Sequence, residues 1–71
     1  MESIYKHVGL KIKKERIKAG LTQQQLARIS DMQLSFLGDI ERGQKKISLN
    51  ALEKIAAGLN SPVSYLLDRD D

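Results

Sequence analysis

Residues 21 to 43 must contain two helix starts and two helix stops, and a segment that short can satisfy them only by folding into two short helices that cross. Leu21-Thr22-Gln23-Gln24-Gln25-Leu26 is a complete start signal. Thr22 is the N-cap, Gln25 three residues on closes a capping box, and Leu21 with Leu26 forms the staple that fixes the angle of approach. This helix runs to about Ile29, where Ser30-Asp31 interrupts the pattern. A second apolar set, Met32, Phe36, Leu37 and Ile40, then begins at helical spacing and ends at Gly43. Ala27 is small where the two helices pass, while Met32 and Leu37 fill the angle and Ile40 completes it.

Two short helices joined by a tight turn make a helix-turn-helix, and the flanking segments supply further helices. Tyr5, Val8, Ile12, Arg16 and Ala19 share one face of a first helix that ends near Lys18, with Gly20 as its left-handed stop; Lys11, Lys14 and Lys18 share another. Arg16 falls on the stripe that should be buried, so it needs a carboxylate partner or must snorkel. Ser48 caps a fourth helix with Leu49, Leu52, Ile55, Ala56 and Leu59 inward and Asn60 as terminator. Ser61 as N-cap and Pro62 as first helical residue open a fifth helix carrying Val63, Leu66 and Leu67. The expectation is a single all-α domain over residues 1–71, a compact five-helix fold with no strand, repeat or linker.

Composition narrows the function. With no Cys and a single histidine, His7, there is no disulfide and no zinc ligand set, and nothing points to a cofactor. His7 reads as a surface helix residue. An enzyme is the least expected class, since 71 residues leave little room for a pocket and carry no Gly-rich phosphate loop. No small-molecule ligand is expected. No apolar run reaches the ~20 residues of a membrane span and no apolar signal region opens the chain, which leads to the expectation of a soluble, cytoplasmic protein without a membrane partner. Charge is uneven. Residues 1–30 carry seven Lys/Arg against two Asp/Glu, residues 31–47 three against three, and residues 48–71 two against four, giving +5, 0 and −2. The basic end suits a polyanion, although a solvated lysine face would look the same.

From Val8 to Leu67 the chain resembles the Cro/C1-type (lambda-repressor-like, XRE) helix-turn-helix domains. The resemblance runs through Val8-Gly9, Ile12, Arg16, Leu21-Thr22-Gln23, Leu26-Ala27, Ile40-Glu41-Arg42-Gly43, Leu52, Ile55-Ala56 and Leu59. Within that family, Ile40-Glu41-Arg42-Gly43 followed by Ile47-Ser48-Leu49 and Leu52-Glu53-Lys54-Ile55-Ala56 most resembles the controller proteins of restriction-modification systems. The resemblance implies a transcriptional regulator that binds double-stranded DNA as a homodimer on a palindromic operator, with the third helix in the major groove and the second crossing the backbone. It also implies an ion pair between Arg16 and Glu41 that ties the first helix to the motif.

On that geometry Gln23 adds a side-chain donor to phosphate beside the start of the second helix, and Arg42, Lys45 and Lys46 hold the backbone without reading sequence. The third helix shows Gln33, Leu34, Ser35, Gly38 and Asp39, with no Arg or Lys to read guanine. Gln33 suits adenine, Ser35 a base edge or phosphate, and Leu34 a thymine methyl or an exposed partner contact. Asp39 either accepts from cytosine or repels phosphate. Two residues depart from the family: Asp31 stands in the turn where Gly is usual, and Ile47 replaces a common Pro. A dimer interface is expected on the fifth helix through Val63, Tyr65, Leu66 and Leu67, because a core this small gains from a partner subunit and Tyr65 is an amphipathic aromatic. Tyr65 and Leu66 capping the monomer core is the other reading. The competing function is a protein-interaction module, antitoxin-like or an adaptor, that keeps the motif but binds DNA weakly.

Overall fold

A computed structural model describes residues 3–69, and among them the secondary structure is entirely helical: α1 (Ile4–Lys18), α2 (Gln23–Ile29), α3 (Leu34–Glu41), α4 (Leu49–Leu59) and α5 (Val63–Leu67). Side-chain oxygens begin three of the helices. Ser3 accepts from the Lys6 N–H, Thr22 from Gln25 within a complete capping box, and Ser48 from Ala51. The ends of α1 to α4 share one closure, in which a residue at positive φ turns its N–H and the next back onto the last turn. Gly20 (φ 76°), Asp31 (φ 54°), Gly43 (φ 75°) and Asn60 (φ 56°) are those residues. The N–H groups of Leu21, Met32, Gln44 and Ser61 reach the carbonyls of Arg16, Ala27, Asp39 and Ala56. Asp31 therefore meets the backbone demand that Gly meets elsewhere, at the modest cost an L residue bears there.

The helices enclose a core of Val8, Ile12, Leu26, Ala27, Leu37, Ile40, Leu52, Ile55, Ala56 and Leu66, with Leu21, Met32, Phe36, Ile47, Leu59 and Val63 packed around it. Helix α1 lies against α3, α5 and α4, while α2 packs on α3 and α4. The α1–α3 approach is close: a Cβ on Gly9 would stand 2.1 Å from the Ile40 carbonyl oxygen, so no larger residue fits without parting the helices. That contact brings Glu41 beside Arg16, two turns along the same face of α1.

Several expectations need correction. Leu66 is fully buried and belongs to the monomer core, so it has no surface to give a partner. Pro62, with ψ 148°, is the extended cap residue, and α5 starts at Val63. Met32 lies in the turn ahead of α3, whose N-cap is Gln33. Leu49 is in helical phase with Leu52 and Ala56 but is 73% exposed, because it sits in the first turn of α4 past the edge of the core. Ala19 is the exposed C-cap of α1 rather than part of its buried stripe. Lys11, expected on an exposed face with Lys14 and Lys18, is buried: its Nζ lies 4.4 Å from the Tyr65 ring centroid and donates to the Asp68 carbonyl at 3.2 Å. His7 is half-buried and its Nε2 donates to the same carbonyl at 2.6 Å. These two residues clasp α1 to the end of α5.

Candidate nucleic-acid interface

Glu41 is the hub on which the interface is mounted. Its carboxylate is buried and accepts three donors: Arg16 Nε at 2.7 Å on Oε2, Arg16 Nη2 at 3.2 Å on Oε1, and Gln23 Nε2 at 2.9 Å on Oε1. Arg16 Nη1 continues to the Leu21 carbonyl at 2.8 Å. One buried charge pair thus joins α1, the start of α2 and the end of α3. The forked donors of Arg16 fix α1 against the end of α3, and the Gln23 and Leu21 bonds tie the start of α2 to the same pair. The Gln23 bond to Glu41 is a contact that sequence reasoning missed; the available signal was that Gln23 follows Thr22 in the capping box, two residues from Leu21, which meets Arg16.

Among the described residues, the helices that pack on α3 are α1 and α2, and its other side is exposed. Gln33 is exposed and its side chain does not cap the helix; Leu34 is 47% exposed, and Ser35 is exposed one position further on. Asp39 is half-buried and its Oδ1 accepts from Arg42 Nη2 at 2.6 Å, so neither charge stands alone. Gly38, expected to be open, is buried. Lys45 and Lys46 are exposed in the loop between α3 and α4.

Helix α5 lies on a different side, against α1 and α4. Of the residues expected at a subunit interface there, Val63 is half-buried on the core, Tyr65 is 36% exposed and Leu67 is 39% exposed. The Tyr65 hydroxyl donates to Glu15 Oε2 at 3.3 Å, which fixes the ring beside α1. No described helix is long and apolar enough to cross a membrane, and among the described residues no group of His, Cys, Asp and Glu could hold a metal ion.

The family model described as helix-turn-helix matches residues 12–66. The control protein C.BamHI of Bacillus amyloliquefaciens is 36% identical over 61 residues, which covers 84% of this chain and 75% of that protein. The immunity repressor protein of Bacillus phage phi105 is 40% identical over 63 residues, covering 89% of this chain but 44% of the repressor, so the similarity reaches less than half of that protein. Among solved structures, the restriction-modification controller protein C.AhdI from Aeromonas hydrophila superposes with a TM-score of 0.84 at 33% identity, over 89% of this chain and 94% of that one.

Proposed function

The chain belongs to the Cro/C1-type helix-turn-helix family, and we propose that it regulates the transcription of a restriction-modification system by binding a palindromic operator as a homodimer. The family is one of DNA-binding transcription regulators. The observation that carries the reading is the rigid, uncovered face of α3, held at a set angle to α2 by the Arg16–Glu41–Gln23 hub. In this reading α3 enters the major groove with Gln33, Leu34 and Ser35 toward base edges. Lys45 and Lys46 lie over the phosphates past its end, and Gln23 turns one amide hydrogen to phosphate while Glu41 holds the other. Val63, Tyr65 and Leu67 form the subunit contact, and two-fold pairing sets both copies of α3 about one helical turn apart, ~34–36 Å. The protein works in the cytoplasm, where its DNA is.

Enrichment of bound sequences from a random duplex pool tests the function directly. The expected result is one sequence with two related half-sites, bound in a salt-dependent way. Failure to enrich any sequence, together with no band shift at physiological salt, would remove the DNA-reading function.

A further inference from the structure

The face of α3 lacks a cation of its own, yet one is laid across it from the C-cap. Arg42 keeps helical backbone angles (φ −84°, ψ −3°), so it stands seven residues from Ser35 on the same side of the helix, in line with Gly38 and Asp39. Helical side chains lean toward the N-terminus, and this one lies back over Gly38. Its Nη1 and Nη2 are 3.2 and 3.5 Å from where a Cβ on Gly38 would be. Nη2 donates to Asp39 Oδ1 at 2.6 Å. The Arg42 side chain remains 57% exposed.

An exposed ion pair three residues apart adds little stability. Its effect is on geometry, because Asp39 occupies one of the five guanidinium N–H donors and holds the plane of the fork, while the side chain stays exposed enough for a ligand to reach the others. A guanidinium held on a recognition face offers the two parallel donors that match O6 and N7 of guanine. We propose that Arg42, oriented by Asp39 across the bare backbone of Gly38, reads a guanine in the major groove. This rests on the DNA-reading function proposed above. It moves Arg42 from backbone contact to base contact, makes Asp39 its positioning residue and not a cytosine acceptor, and makes Gly38 the space in which the fork lies.

The test repeats the random-duplex enrichment with wild type, Arg42→Lys, Asp39→Asn and Gly38→Ala, with thermal melts of each. Arg42→Lys keeps the charge and loses the fork. It is expected to lose one guanine from each enriched half-site and to bind the wild-type site about ten- to hundredfold more weakly, while its affinity for random duplex and its salt slope stay the same. Asp39→Asn and Gly38→Ala are expected to weaken the same guanine without lowering the melting temperature, since Ala is the better helix former at position 38. Replacing that guanine by 7-deazaguanine, which lacks the N7 acceptor, should weaken wild type and leave Arg42→Lys unaffected. The inference is overturned if all variants enrich the wild-type guanines, or if 7-deazaguanine affects wild type and Arg42→Lys equally. It is also overturned if Arg42→Ala weakens cognate and random duplexes alike with a slope change of roughly 0.9, the mark of a phosphate contact. A wild-type protein that enriches no sequence ends the DNA-reading function itself, a result distinct from each of these.

Discussion

At the scale of single residues, Glu41 carries the most consequence, because three donors converge on one buried carboxylate. Replacing it with Ala leaves the Arg16 guanidinium buried without its partner, and the expected loss is about 3–5 kcal/mol, or roughly 20–35 °C in Tm for a domain of this size. Thermal denaturation by circular dichroism checks this; a variant that melts like wild type yet no longer binds DNA would give Glu41 a direct role on the nucleic acid. Gln33 and Ser35 present the opposite case, since both are exposed and do not support the core. Alanine at either is expected to cost ~1–3 kcal/mol on the enriched site and almost nothing on random duplex, measured by competition titration. Equal losses on both duplexes would place these side chains on the backbone.

Helix by helix, what could be read from the sequence was whatever a helix decides locally. The Thr22 capping box and the Gly20 and Asn60 stops depend on residues within a few positions, and so does the tolerance of Asp31 for a left-handed turn, so these are visible without the fold. Helix α5 shows where this ends. Five residues make about one and a half turns, so apolar spacing cannot say which side faces inward, and docking against α1 and α4 selects Leu66 for the core while Leu67 stays on the surface. Lys11 is hidden for a related reason: its Nζ meets the Tyr65 ring and the Asp68 carbonyl, both far away in sequence. The Arg42 fold-back over Gly38 is not legible in the sequence either, because it depends on the direction the side chain takes from the C-cap of α3. The α5 assignment yields a paired expectation. Leu66→Asp should unfold the protein, whereas Leu67→Asp should leave a folded chain that sediments as a monomer and binds a full operator no more tightly than a half-site. A folded Leu67→Asp dimer would move the interface elsewhere.

For the molecule as a whole, charge separates attraction from recognition. The formal charge is +3, and the excess lies in the α1–α2 half and the loop of Lys45 and Lys46. Lys46→Ala is expected to weaken binding to every duplex by a similar factor and to reduce the slope of log K against log salt by about 0.9. An unchanged slope would remove Lys46 from the phosphate contacts. The clasp of His7 and Lys11 on the Asp68 carbonyl bears on a different property. It joins residues 61 and 57 positions apart, the most expensive kind of loop to close, since closure entropy grows with the logarithm of the intervening length. The contact secures the five-residue helix on which subunit pairing is proposed. Native-state hydrogen exchange should therefore find the α5 amides opening below the global unfolding free energy, as a unit separate from α1 to α4. Raising protein concentration should slow those amides selectively. If they instead exchange together with Ile12 and Ile55 at every concentration, assembly draws on no local order–disorder step, and the subunits meet as finished surfaces.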